Sequence, residues 1–598
     1  MNEEPKSIWK KPWKGARGLF SFGLAILVAA FLIIFFLDLL VEPASFSTDS
    51  ARIALIWATV IAIIGFMMVA FVRWTCHWRN FKRFLLGLAG FVLLIALFYA
   101  EENWRGKHDW EQFKRGWEAK GMRFGPAAVI PTPVPDNQNF AMSPVFDAVN
   151  KLMNEKWRAQ HQKPHSGKEG DEGELDTILV DPLEMVIAEN GEDPTNAMGD
   201  WRKSTMSNLA VWQQSYRVLS VTTNTFPIPQ QPQTPAKDVL LALSLYDPTI
   251  EELREAAKLP YARFPISYDA QPPANIWLSH LAGLKQSARV LELRAIAELQ
   301  NGQSDKALAD VELMLRLSDS IRMEPFLISH LVRIAIVNRT LQPVWEGLVA
   351  HQWSDEQLER LGLDLAKVDS LADYHTAMRG ELVLCEIGNI EFLRHYPEHA
   401  RDLLGEFNED ASARIVGRIV WQAIPSGWFY QNELSCARPM LEDYLPLADI
   451  DQHMVRPGAV ERAGSVVGGK LAHRNPYNII TRIAMPAVGG AVKKFACGQE
   501  SVDLAQVAIA LERYRLANGK YPEALEGLTP QLLARLPHDI INGEPLHYRR
   551  TTDDQFVLYS VGWNGTDDGG AVVLSKGTSP TVDINEGDWV WHSSVETN

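Results

Sequence analysis

Cysteine is scarce. Four in 598 residues are too few to build a fold on disulfides. Short motifs with a known mechanical role are missing too: no HExxH, P-loop, GxSxG elbow, GxGxxG turn after a strand or CxxC pair occurs. Basic charge is in deficit, with 58 Lys and Arg against 73 Asp and Glu, a net charge of -15. Phosphate binding needs a basic face, so nucleic acid is excluded as the main partner. Mean hydropathy is only -0.11 although 46% of residues are hydrophobic. Most of the chain is therefore water-compatible, and its apolar excess is local.

That excess sits in the first hundred residues. Leu19–Leu37, Ile53–Val72 and Phe84–Ala100 are apolar runs without charge. A helix crosses a bilayer with about 20 apolar residues, so three transmembrane spans are expected, the third being the shortest. Lys6, Lys10, Lys11, Lys14 and Arg17 precede the first run, and Arg73, Arg79, Lys82 and Arg83 follow the second. The intervening loop carries Glu42 and Asp49, with Arg52 alone at the membrane edge. Basic loops stay inside, so the N-terminus is expected in the cytoplasm and the bulk of the chain outside, in the periplasm of a bacterium. Asp38 marks the outer end of the first span. Trp74, Trp78, Trp104, Trp110, Phe113 and Trp117 read as interfacial anchors, and the last three also suit one stripe of a continuing helix.

The rest divides by composition. Gly125–Pro135 and Thr222–Pro235 are Pro-rich and extended; Gln160–Asp176 is charged and Gly-rich and reads as a mobile loop. From Pro248 to about Ala400 the pattern is helical. Within it, Ser287 to Ser320 resembles a tetratricopeptide helix pair, with Ala295, Gly302 at the turn, Ala307 and Val311. Glu298 stands where that repeat has an aromatic, and an ordinary helical hairpin reads equally well. His280, Arg322, His330, Arg333, Asp373, His375, Arg379 and Glu381 punctuate these helices. If His330, Arg333, His375 and Glu381 met in one concave pocket, they would make a hydrolase site; dispersed, they are structural contacts.

The most specific signal lies at the end. Val502–Leu516 reads as a helix with Leu504, Val507, Ala508, Leu511 and Leu516 on one stripe, stopped by Asn518-Gly519. A short helix at Leu525–Leu536 and a hairpin of Leu546–Arg550 with Gln555–Ser560, turning at Thr552–Asp554, follow. The runs Ala510-Leu511-Glu512-Arg513-Tyr514, Asn518-Gly519-Lys520-Tyr521-Pro522, Gly527-Leu528, Gly543-Glu544-Pro545-Leu546-His547-Tyr548 and Leu558-Tyr559-Ser560-Val561-Gly562, then Asn564-Gly565, Asp583-Ile584 and Trp589, resemble the globular domain of type II secretion major pseudopilins. Glu102-Asn103-Trp104-Arg105-Gly106 and Asp136-Asn137-Gln138-Asn139-Phe140 also resemble membrane proteins of planctomycete and verrucomicrobial type, a likeness that implies no activity. Pseudopilins start with a leader, a Gly-Phe junction and one long helix, a pattern this N-terminus does not show. The resemblance therefore implies a reused terminal fold rather than a filament subunit. It also implies calcium, with Asn564, Asp567, Asp568 and Asp583 as candidate oxygen ligands.

The expected architecture is multi-domain: a cytoplasmic tail (1–18), three transmembrane helices (19–100), a juxtamembrane helix and linker (101–140), a mixed soluble region (141–247), an α-helical domain with the TPR-like hairpin (248–475) and a small α+β pseudopilin-like domain (476–598). The expected function is a non-enzymatic, membrane-anchored scaffold for other envelope proteins, with the hydrolase as the alternative and a transporter the weakest reading. At most one disulfide is expected, among Cys385, Cys436 and Cys497, since Cys76 falls in a cytoplasmic loop.

Overall fold

The computed structural model describes residues 59–60, 63–68, 70–71, 73–75, 77–153, 183, 193–223, 225–400, 421–473, 475–484, 489–551, 555–577 and 580–595. The tail at 1–18, the run Leu19–Leu37, Cys76, the Gln160–Asp176 loop and the turn Thr552–Asp554 lie outside them. The chain divides into two compact units, Met1–Glu101 and Glu102–Asn598.

Among the described residues one helix, not three, is long and apolar enough to cross a membrane: α1, Trp78–Glu118. Of the second run, described residues between 63 and 75 are helical but form only a short apolar stretch. Leu86, Phe91, Leu93 and Leu94 on α1 are all more than half exposed, an apolar surface that water would not tolerate. The helix runs well past Ala100, where the apolar run stops. Trp110 is therefore not an interfacial anchor: it is buried against Phe113 and Phe124 in the core of the second unit.

That unit is mostly helical. α2 (His280–Gln300) and α3 (Ser304–Asp319) form the hairpin read from sequence; Gly302 turns at φ +70°, and Ala295, Ala307 and Val311 are fully buried between the helices. α4 (Leu327–Val349) packs on both. α5 (Asp355–Leu365) opens with a capping box of Ser354 and Gln357, and α6 (Ser370–Gly380) with an Asp369 cap. α6 runs on as a π-helical segment, Glu381–Ile387. α7 (Ser426–Arg438) meets the C-terminal part of α1 where Gly106 and Gly427 face each other.

The pillar of the unit is α8, Ala491–Asn518, with α4, α5 and α6 around it. Sequence reading starts this helix at Val502; it begins eleven residues earlier, after Gly490. Its end is as expected, with Gly519 left-handed (φ +75°) and donating to the Arg515 carbonyl at 2.7 Å. Leu504, Val507, Ala508 and Leu511 are buried, whereas Leu516 is exposed. The short helix expected at Leu525–Leu536 is one 3₁₀ turn, Leu525–Leu528, because Pro530 cannot continue it.

A two-residue ladder, β1 (Ala448–Asp449) with β2 (Met454–Val455), closes on a loop beside α8. β3 (His547–Arg550) and β4 (Phe556–Ser560) pair antiparallel as read, Tyr548 opposite Leu558. β5 (Val572–Leu574) and β6 (Val582–Gly587) make a separate ribbon, and β7 (Trp589–His592) adds to β4, Trp591 opposite Leu558. Leu546, Phe556, Leu558 and Trp591 cover the apolar face of α8.

Candidate functional site

A cleft of about 670 Å3 opens along one side of α8. That volume suits a drug-sized ligand. Two further cavities hold about 10 Å3 each, room for one water. The cleft is assembled from four separate stretches: α5, the β1–β2 loop, the outer stripe of α8, and the loop at 531–538. Gln499, Asp503, Gln506, Ala510 and Arg513 follow helical spacing and form its floor. Leu358, Leu363, Ile509, Leu532, Leu533 and Leu536 supply an apolar wall.

The polar end centres on His453 and Asp503. Asp503 is buried; its Oδ1 accepts from Gln499 Nε2 at 3.0 Å. Gln499 is fixed in turn, because its Oε1 accepts from the Ser370 amide at 2.7 Å. His453 Nε2 stands 3.5 Å from Asp503 Oδ2, an ion-pair separation too long for a good hydrogen bond. The neighbouring carboxylate nonetheless raises the affinity of His453 for a proton above the ordinary imidazole value. His453 adopts φ +51°, a left-handed backbone that non-glycine residues seldom take. The turn is held by Asp449, which accepts from the Gln452 amide at 2.9 Å, and by His538 Nε2, 3.1 Å from the Gln452 carbonyl.

Behind Asp503, Glu500 is fully buried and accepts from the Ile540 amide at 3.0 Å. Burial, then the nearby Asp539 and Asp503, raises its carboxyl far above the usual range. Arg513 is already engaged, its Nε donating to Asp355 at 2.8 Å. No Ser, Thr or Cys side chain lines the cleft among the described residues. A histidine–carboxylate pair can hold or move a proton and can bind charge. No protein-family model, curated protein or solved structure matches the chain. Its chemistry has to be argued from this geometry.

None of the four residues named for hydrolysis lines this cleft. His330 is buried, Nε2 2.9 Å from the Glu324 carbonyl, and burial lowers its proton affinity. Arg333 is buried against Asp373 at 2.7 Å and Ser318 at 3.1 Å. His375 Nε2 lies 2.8 Å from the Ala448 carbonyl, and Glu381 accepts from the Leu327 amide at 3.1 Å. Of the neighbouring residues named, His280 bonds Glu324 at 2.7 Å and Arg322 lies 3.8 Å from Asp319. Sequence reading missed His453 and Asp503. The one available signal was a polar stripe at 499, 503, 506 and 513 at helical spacing.

Three of the calcium candidates, Asn564, Asp567 and Asp568, share one loop, and Asp583 lies on the β5–β6 ribbon. Asp567 Oδ1 accepts from the Tyr559 hydroxyl at 3.0 Å and the Gly569 amide at 2.9 Å. The Asp568 carboxylate takes the Asn564 amide at 2.9 Å. Asp583 lies on the β5–β6 ribbon and accepts from Asn585. The residue that organises the loop is Asp588, which accepts from the Asp568 and Gly570 amides. No group of three or more His, Cys, Asp or Glu able to hold a metal occurs among the described residues. Calcium needs six to eight oxygens, and these carboxylates accept protein donors here instead. Millimolar calcium is therefore expected to leave the thermal midpoint where chelator leaves it. A rise that disappears in Asp567→Ala/Asp568→Ala would restore the metal by mass action.

Cys385, Cys436 and Cys497 are thiols, and Cys436 Sγ lies 3.6 Å from Glu386 Oε2. Burial and the facing Glu381 push Glu386 up to about 7.

Proposed function

We propose that the chain is a membrane-anchored, non-enzymatic binding protein of the outer face of a bacterial inner membrane, whose soluble unit takes its ligand in the cleft beside α8. The observation that carries this reading is the cleft itself: ligand-sized, half apolar, with polar groups converging at one end. The envelope location rests on the Lys and Arg bias of the first hundred residues and on the apolar exterior of α1. A helix followed by an antiparallel sheet supports the pseudopilin-like reading of the C-terminal segment, here serving as the cleft's frame. Other envelope proteins are the proposed source of the ligand.

Hydrogen exchange on the detergent-solubilised chain tests the binding reading. A pool of acetylated, leucine-containing tripeptide amides is the probe. Protection is expected in α5, α8, the β1–β2 loop and residues 531–538, and nowhere else. Protection absent there, or spread evenly, ends the cleft as a binding site.

The orientation has its own test. Reporter fusions at the N-terminus and at Gly125 are expected to report inside and outside respectively. A cytoplasmic Gly125 would overturn the outer-face placement.

A further inference from the structure

Resting on the binding reading above, we infer that the ligand of the cleft is a peptide segment bearing a cationic side chain beside apolar ones, with Asp503 as its anchor and His453 as the group it displaces. The geometry of Asp503 leads there. Asp503 is 5% exposed and lines the cleft, and its Oδ2 has no hydrogen bond. A buried carboxylate oxygen without a donor is costly, and an ammonium or guanidinium brings the donors that are missing.

The charge around the site agrees. Asp369 and Asp451 add acid near the polar end. Arg513, the base on the floor, is consumed by Asp355 and Glu359. Arg535 is exposed and sits on the loop at 531–538. The only positive charge that reaches the Asp503 carboxylate among the described residues is that of protonated His453, 3.5 Å away. An incoming cation replaces a labile charge there with a permanent one. The apolar neighbours of that cation meet Leu358, Leu532 and Leu536, and half-buried Gln506 lies within the cleft for a peptide amide.

The arrangement is pH-dependent, and its sign is fixed. His453 is faced by Asp503 from α8, by Asp369 before α6, by Arg535, and by the His538 ring at 6.3 Å. The carboxylates dominate, so His453 holds its proton above the ordinary imidazole value. Below that value it neutralises Asp503 and competes with the ligand. Binding therefore strengthens as pH rises through it.

The test is calorimetry on the full chain in detergent with three probes: acetyl-Leu-Lys-Leu-amide, the same peptide with norleucine for lysine, and the same with glutamate. The lysine peptide is expected to bind at least about tenfold tighter than the neutral one, and the glutamate peptide weakest. Asp503→Asn, which keeps the shape, should abolish the lysine preference while retaining binding of the neutral peptide. That retained binding also reports that the variant is folded. His453→Gln should remove the strengthening between about pH 5.5 and about pH 8. Equal affinity for lysine and norleucine peptides would overturn the cation while leaving the cleft a binding site. Binding of none of the three would overturn both.

Discussion

Gly427→Ala is expected to destabilise the Glu102–Asn598 unit by about 3 kcal/mol, the upper end of what overpacking usually costs. A Cβ built there would sit 1.9 Å from the Glu102 carbonyl oxygen, 2.5 Å from its carbon and 2.9 Å from Asn103 Cα. All three are backbone atoms, which no rotamer change can move. Gly106 is the complement: its Cβ would meet the Gly427 carbonyl oxygen at 2.2 Å. The two glycines let α1 and α7 touch backbone to backbone. Polar contacts then fix the crossing. The Gly427 amide donates to Asn103 Oδ1 at 2.9 Å, and Trp428 Nε1 donates to Glu102 at 2.9 Å. Arg105 and Tyr477 complete the ring around Glu102, at 2.7 Å and 3.2 Å. A methyl group would force the helices apart and loosen every one of these bonds together. Gly116→Ala on the same helix is the control. Nothing lies within 4 Å of its Cβ, so the change should stabilise by about 1 kcal/mol, through helix propensity alone. The two urea midpoints should therefore move in opposite directions at unchanged slope. If they move together, the close approach is not what holds α7.

Local chemistry made part of this fold legible. The α2–α3 hairpin announces itself through small residues at Ala295 and Ala307 and a glycine at the turn. The stop of α8 is written in Asn518-Gly519, and the β3–β4 hairpin in its alternating side chains. Glu102-Asn103-Trp104-Arg105-Gly106 stood out as a run without a role; it is the clamp on α7. Asn139 stood out likewise, and it bridges the Arg263 backbone through both amide atoms at 2.8 Å. What stayed hidden is non-local. The first half of α8 carries Gln499 and Glu500, polar residues that sequence reasoning places in solvent. They are buried because Ser370 and Ile540, more than a hundred and some forty residues away, satisfy them. How α8 packs was hidden for the same reason. A helix buried on several sides belongs to all its neighbours, so a cut at 476 would expose apolar surface against α4, α5 and α6. The cleft needs four stretches of chain to exist, and a lone histidine in a loop gives no pattern to read.

Arg333→Met is expected to cost about 3–5 kcal/mol, because it leaves a buried carboxylate without its partner. Asp373 is fully committed to this arginine: its Oδ2 accepts from Nε at 2.7 Å, and Arg333 is only 3% exposed. The same guanidinium also takes the Ser318 hydroxyl, so the single change strands two polar groups. Removing both charges should behave differently. In Arg333→Met/Asp373→Leu the desolvation cost of each ion is gone, and two apolar side chains of similar size fill the space. Most of the loss should return, giving a large favourable coupling in the double-mutant cycle. That asymmetry separates two roles for residues that look catalytic in the sequence. A structural pair shows a severe single mutant and a mild double mutant, and cleft binding of the peptide probes survives in the double mutant. A pair that served the ligand would lose binding in both, whatever the stability. A single mutant within about 1 kcal/mol of the parent would mean that water reaches Asp373 and the pair is not buried in solution. Neighbouring His330 bears on the same choice. Burial depresses its proton affinity, so it stays neutral where an acid–base catalyst would have to cycle, and its ring packs 6.3 Å from Phe495 on α8. The polar residues of α4 and α6 thus fix how those helices seat on the pillar.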